Sequence, residues 1–253
     1  MLATRVIPCL LYQDGSLVKT VRFKNPSYVG DAINAIKIYN EKEVDELIFL
    51  DITASAENRA PDLEIIKQIA SECFMPLAYG GGITSLEQVR EILRVGVEKV
   101  SFNSAAINNP QLITETAKAF GTQCVVVSID VKKNFWGKPE VCGDRATQST
   151  KENPVDFARR MEDLGAGELL LTSVDREGTW EGFDIELVGK ISNAVKIPVI
   201  AHGGGGKLGD IQDVVKFGKA AAVALGSLVV YQKKGMGVLI NFPKRKNLLE
   251  LLS

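Results

Sequence analysis

Two glycine-rich turns at a fixed spacing are the part of this sequence best suited to chemistry. Pro76-Leu77-Ala78-Tyr79-Gly80-Gly81-Gly82 is answered 122 residues later by Pro198-Val199-Ile200-Ala201-His202-Gly203-Gly204. Each cluster closes an apolar run, and glycine at that point lets backbone N–H groups approach an anion closely. At the same offset each is followed by a second run that ends in small or polar residues, Asn103-Ser104 and then Gly226-Ser227. A glycine turn plus the end of the next strand makes a phosphate cradle. One such turn alone reads equally well as a tight bend. Two, each with its partner run, predict phosphate binding at Gly81, Gly82, Asn103, Ser104, Gly203, Gly204, Gly226 and Ser227, and so a ligand with a phosphate at each end. Acid–base candidates are sparser. Asp51 and Asp130 each end an apolar run, and for each a chemical or substrate-orienting role stands beside a structural one. His202 is the sole histidine, so it cannot build a multi-histidine metal site. Anion contact and a structural role are both open to it.

The elements that must position these groups follow from hydrophobic patterning. Short apolar runs recur at Val6–Leu10, Leu47–Ile52, Leu77–Tyr79, Lys99–Phe102, Cys124–Ile129, Leu169–Thr172, Val199–Ala201 and Ala221–Leu225. They are apolar throughout rather than alternating, as parallel strands covered on both faces are. Amphipathic stretches lie between them, at Asp31–Glu43, Pro61–Cys73, Ser85–Val95, Pro110–Phe120, Asn153–Leu164, Asp184–Val195 and Leu208–Phe217, and the tail Lys244–Ser253 could supply the last helix. Eight such units predict an α/β fold, a (β/α)₈ TIM barrel in one domain over residues 1–253. The repeat divides it into similar half-barrels at about 1–121 and 122–253, and argues against the alternative of a doubly wound open sheet. Two connections are longer than the rest, Leu11 to about Pro26 and Val131 to Thr150, and both are expected as long functional loops on the barrel's C-terminal face. For Trp136 and Trp180, on such loops, packing is the expectation, with closure over a ligand or contact with a partner as the alternative.

Composition narrows the function classes. With 45% hydrophobic and 24% charged residues and a net charge of −1, nothing points to nucleic acid or an anionic membrane surface. No apolar run approaches a membrane span. The chain reads into a strand from its first residues without a signal-peptide pattern, and a cytoplasmic protein is expected. Cys9, Cys73, Cys124 and Cys142 share no metal-like spacing. Cys9 and Cys124 sit in apolar runs and are expected as buried free thiols. No metal and no cofactor is expected.

Over nearly its whole length the chain resembles the cyclase subunit of imidazole glycerol phosphate synthase, the HisF family. The segments that carry the likeness are Arg5-Val6-Ile7-Pro8-Cys9-Leu10 with Asp14-Gly15 and Val18-Lys19, Phe49-Leu50-Asp51-Ile52-Thr53-Ala54-Ser55, Gly80-Gly81-Gly82-Ile83, Asn103-Ser104-Ala105-Ala106 and Leu171-Thr172-Ser173-Val174-Asp175-Arg176. The resemblance implies a (β/α)₈ barrel that receives ammonia from a glutaminase partner (HisH-like) on its bottom face and joins it to a bis-phosphorylated ribosyl substrate at its top face. It implies a substrate-binding role for Lys19 and for Gly178. It also implies that Arg5, Glu46, Lys99 and Glu168 form a ring of opposite charges gating ammonia entry. Without it, those four read as solvated strand ends.

The departures from the family pattern matter equally. The cyclase reaction uses two aspartates, ending strands 1 and 5. Asp130 stands at the second position, but Leu11 stands at the first, and leucine neither takes nor gives a proton. Ala78, His202 and Glu177 replace the family's usual threonine, serine and aspartate around the same mouth. Cys9-Leu10-Leu11 and the tail Gly237-Val238-Leu239-Ile240-Asn241-Phe242-Pro243 are similar to a branch of HisF-like paralogues associated with amidation of bacterial surface sugars. That likeness implies ammonia delivery to a separate sugar amidotransferase. A genuine cyclase of histidine synthesis, with a rearranged partner for Asp130, is the alternative, and a non-catalytic scaffold that only activates the glutaminase is a third reading.

Overall fold

The computed structural model describes residues 4–252. Met1-Leu2-Ala3, read as leading into the first strand, and Ser253, read as the end of the tail helix, lie outside the described residues. Eight parallel strands form a closed barrel: β1 (Arg5–Gln13), β2 (Leu47–Asp51), β3 (Leu77–Gly80), β4 (Lys99–Phe102), β5 (Val125–Lys133), β6 (Glu168–Ser173), β7 (Val199–His202) and β8 (Ala222–Leu225). Each pairs with its sequence neighbours. The ring closes where β1 meets β8, with Arg5 opposite Ala222 and Pro8 opposite Leu225. The outer layer is α1 (Ala32–Glu41), α2 (Leu63–Glu72), α3 (Leu86–Arg94), α4 (Gln111–Phe120), α5 (Pro154–Asp163), α6 (Ile185–Ser192), α7 (Leu208–Lys216) and α8 (Arg245–Leu252), with one-turn helices at Ser104–Asn108 and Ser227–Val230.

Local chemistry sets the helix starts. Asp31, Asp62, Asn153 and Asp184 each accept a hydrogen bond from a first-turn N–H of the helix that follows, and Ser85 and Gln88 cap α3 reciprocally. Such caps are each worth about 1 kcal/mol. One face of each strand packs outward on the helices, as Val6, Leu10, Phe49 and Leu171 do. The alternate residues point inward. Ile7, Cys9, Leu11, Ile48, Ala78, Val126, Leu170, Ile200, Ala222 and Ala224 make a separate buried apolar cluster inside the barrel, as the two-residue strand period requires.

Four expectations need correction. Neither long connection is a loop. β1 turns back at Asp14-Gly15 into Ser16–Val21, with Leu11 opposite Val18, and Lys24–Gly30 pairs with that strand in turn. Asp14 and Gly15 have φ of +48° and +83°, the left-handed pair that a two-residue hairpin turn demands. Likewise β5 continues to Lys133 and folds back through Pro139–Gly143, which carries the two-residue strand Gln148–Ser149. Trp136 does not pack into the body. It sits at the tip of this second hairpin with 86% of its surface exposed, edge-on to Phe135 at 94%. Cys124, expected in a strand, ends a single 3₁₀ turn before β5, though it is buried and its thiol is free.

Candidate functional site

The two glycine turns adopt matching backbones. Gly81 and Gly82 have φ of +126° and +70°, and Gly203 and Gly204 have +89° and +107°. A Cβ on Gly81 would overlap the Asp51 carbonyl oxygen, and one on Gly203 would lie 2.6 Å from the Ser173 carbonyl oxygen, the equivalent atom 122 residues on. Both positions thus require glycine for conformation and for clearance. The repeat in the sequence is a repeat in backbone chemistry.

Around the first turn the barrel mouth opens into a cavity lined by Gly81, Gly82, Asn103, Ser104, Leu11, Asp51, Asp130 and Arg145 among others. The Gly82 N–H donates to Ser55 Oγ at 3.2 Å. Ser101, on the same wall, is buried with no hydrogen-bond partner for its hydroxyl. Asp51 is held in place: its Oδ1 accepts from the N–H groups of Thr53 and Ala54, both at 3.0 Å, and its Oδ2 accepts from Arg59 Nη1 at 3.1 Å. That environment makes Asp51 the organiser of the turn that follows β2.

Asp130 is different. Asn103 Nδ2 donates to its Oδ2 at 3.2 Å and to the Ser128 carbonyl at 3.0 Å. Among the described residues no cation is ion-paired to it, and Leu11 lines the same mouth. Burial pushes the Asp130 carboxyl up to about 7, against the pull of the Thr172 hydroxyl. A carboxyl poised there can hold or release a proton at neutral pH. His202 lies on the same wall, with Nδ1 3.2 Å from Thr172 Oγ1. Burial, reinforced by the Lys19 charge, lowers its imidazole to about 3, so it is a neutral hydrogen-bonding group.

The second cradle is tighter. Its glycines and Gly226, Ser227 and Gly178 line a narrow space together with Lys19 and Glu177, and Lys19, Gly178 and Ser227 also border a wider opening with Trp180 and Tyr231. Lys19, 5% exposed, is ion-paired with Glu177, 0% exposed, whose other oxygen accepts from Thr20 Oγ1 at 3.1 Å. The Lys19 stem runs across Gly226, where a Cβ would lie 2.6 Å from Cε. Burial lowers the Lys19 ammonium to about 8, and the facing carboxylate is the counter-charge that favours its cationic form.

At the opposite end of the barrel the four charged strand-end residues come together. Lys99 Nζ reaches Glu46 Oε1 at 2.7 Å and Glu168 Oε2 at 3.0 Å, and the Arg5 guanidinium bonds the same two carboxylates. Each cation bridges both anions, so the four make a closed ring, and the apolar interior cluster lies directly inside it in strand order.

Of the residues singled out in the sequence, the fold brings Asp130, Asp51 and the first glycine turn to one cavity, Lys19 and the second turn to an adjoining space, and the four strand-end charges together at the opposite end. Sequence reading missed Arg59, Arg145, Ser101 and Thr172. Ser101 and Thr172 were findable, since each shares the inward strand parity of a chosen neighbour, Asn103 and Glu168. The Lys19–Glu177 pair joins residues 158 apart and had no local signal. Among the described residues no group of three His, Cys, Asp or Glu is arranged to hold a metal ion, and no helix is long and apolar enough to cross a membrane.

Comparison with known proteins agrees with this geometry. The family profile described as histidine biosynthesis protein matches residues 5–235. A Pseudomonas aeruginosa protein provisionally named imidazole glycerol phosphate synthase subunit hisF2 is 51% identical over 243 residues, covering 96% of this chain and 97% of its own length. A Vibrio vulnificus protein, provisionally named subunit hisF3 of the same synthase, is 46% identical over 255 residues, covering 99% and 98%. The Alkaliphilus metalliredigens imidazole glycerol phosphate synthase subunit HisF is 45% identical over 233 residues, covering 92% of each. With a closed eightfold barrel, paired glycine turns at its mouth and full-length likeness to these subunits, the chain belongs to the histidine biosynthesis protein family and, within it, to the HisF-type barrels.

Proposed function

We propose that this chain is the barrel subunit of a glutamine-dependent complex. It receives ammonia from a HisH-like glutaminase on its bottom face and releases it at the mouth for a separate enzyme that amidates a surface-polysaccharide sugar. In this reading Arg5, Glu46, Lys99 and Glu168 gate entry, the apolar interior favours neutral ammonia over ammonium, and a phosphorylated ligand sits on the first cradle. Asp130 orients that ligand or moves a proton, Asp51 fixes the turn, and the chain works as one (β/α)₈ domain of two similar halves.

The observation that carries this reading is the contrast between the barrel's two ends. The charged ring is complete, while at the mouth Leu11 stands on β1 and the lining carboxyls Asp51 and Glu177 are tied up in ion pairs with Arg59 and Lys19, so Asp130 lacks a free partner for paired acid–base chemistry. The second reading is a genuine cyclase subunit. It is favoured by the matched glycine backbones, which suit a ligand with two phosphates. One assay separates them: the purified chain, the bis-phosphorylated ribosyl substrate and excess ammonium at alkaline pH, followed by substrate absorbance. Turnover would establish the cyclase and refute the delivery reading. Absence of turnover, with a glutaminase partner still stimulated and its ammonia reaching a sugar amidotransferase, is the expected result.

A further inference from the structure

The two cradles share a backbone but differ in the side chains that cross them. The first opens directly into the mouth cavity, whose wall includes Ser101, Asn103 and Ser104. The second is spanned by the Lys19 side chain, which lies over Gly226 and ends on Glu177. Both residues are buried, and both Glu177 oxygens are engaged, by Lys19 and by Thr20. The backbone fixes this arrangement. The Arg22 N–H donates to the Glu177 carbonyl at 2.9 Å. Gly178 follows with φ of +74°, against the Thr20 carbonyl, where any Cβ would overlap. The first hairpin and the segment after β6 are therefore stitched together across the second cradle.

We infer that the Lys19–Glu177 pair is a latch that takes the second cradle out of phosphate binding, so that a ligand is held by one phosphate ester at the Gly81/Gly82–Asn103/Ser104 cradle and gains nothing from a second. A second phosphate would need the cation that Glu177 already holds. Taking Lys19 away would leave a fully buried carboxylate without its counter-charge, a penalty worth roughly a 100-fold loss of affinity or more. This inference rests on the reading of the first cradle as a phosphate site.

The test uses the full chain and isothermal titration calorimetry with two probes, ribose 5-phosphate and ribulose 1,5-bisphosphate. The wild type is expected to bind the monophosphate and to bind the bisphosphate within about threefold of it. Glu177→Gln frees Lys19 and should tighten the bisphosphate at least tenfold while moving the monophosphate less than threefold. The double substitution of Lys19→Met with Glu177→Gln removes both charges, a change that buried pairs often tolerate, and should abolish that gain. The latch is overturned if the wild type prefers the bisphosphate tenfold, if Glu177→Gln brings no gain, or if the gain survives in the double variant. Should Glu177→Gln fail to fold, the wild-type preference decides alone. If neither probe binds the wild type or the folded variants, the phosphate reading of the first cradle falls and the latch with it. If the monophosphate binds and only the gain is missing, the cradle stands and the latch falls.

Discussion

Replacing Asp130 by asparagine should change how the stability of the barrel depends on pH more than it changes the stability itself. The carboxyl ordinarily titrates near 3.8 and titrates near 7 in this fold. Burial is the cause, with Leu11 and the rest of the interior cluster supplying an apolar surround. A folded-state pKa raised above the unfolded value means that the native state binds the proton more tightly. Below about pH 4 the group is protonated in both states and costs nothing. As pH rises toward 7 the unfolded chain gains from ionising and the folded chain does not, so native stability falls by about 1.4 kcal/mol per pH unit. The loss reaches about 4 kcal/mol near pH 7 and is flat above it. Asparagine carries no proton to lose. The stability of Asp130→Asn minus that of wild type should therefore rise by about 3 kcal/mol between pH 5 and pH 7.5, whatever constant offset the amide brings. Urea unfolding followed by circular dichroism at half-unit pH steps would read it. With an m-value of roughly 3 kcal/mol/M, the midpoint difference should move by about 1 M. Midpoints that run parallel across this window would refute the argument, because they would mean that Asp130 ionises freely in the folded barrel.

Three further outcomes follow from particular contacts. Arg5→Ala leaves Lys99 alone between Glu46 and Glu168. Because Arg5 is partly exposed, the cost should be about 1–3 kcal/mol rather than that of a fully buried pair, read as a melting temperature lower by roughly 3–10 °C; an unchanged melting temperature would show that the ring contributes nothing to stability. Gly82→Val puts a side chain on a backbone at φ +70° and 2.5 Å from the Arg59 carbonyl oxygen. It should weaken ribose 5-phosphate binding at least tenfold in calorimetry, and undiminished binding would remove the first cradle from the site. Trp136→Ala trims a side chain that packs on little beyond Phe135, and should alter unfolding free energy by less than about 0.5 kcal/mol; a larger loss would mean that the hairpin tip is anchored to the body.

The barrel was legible in the sequence because both strand faces are buried, so eight β-rich runs stand out between helices whose caps are local. The two hairpins were not read, although Asp14-Gly15 carries the turn chemistry. Their strands are partly exposed and polar, Lys24–Gly30 above all, so the apolar-run criterion passed over them. At the site, Gly81 and Gly203 were recognisable because only glycine fits there, and that constraint leaves a mark on residue identity. The pairing of Lys19 with Glu177, and the placing of Asp130 beside Asn103 and Thr172, come from segments far apart in the chain. Nothing in the spacing of residues records which side chain faces which across a barrel.

The seam between β1 and β8 has a consequence for how the molecule comes into being. Arg5 pairs with Ala222, so during synthesis the first strand must wait for almost the whole chain before its partner exists. Until then its outer edge offers unsatisfied backbone groups to any neighbouring strand. Contacts of such long sequence separation form slowly, and chains held open in this way are prone to wrong association. The folded-back Ser16–Val21 hairpin lies on β1 from the start and shields the upper part of that strand, Leu11 to Gln13, locally. Arg5 to Pro8, which pair with β8, have no such cover. Deletions at either end of the barrel should thus impair the yield of soluble protein far more than the number of contacts removed would suggest.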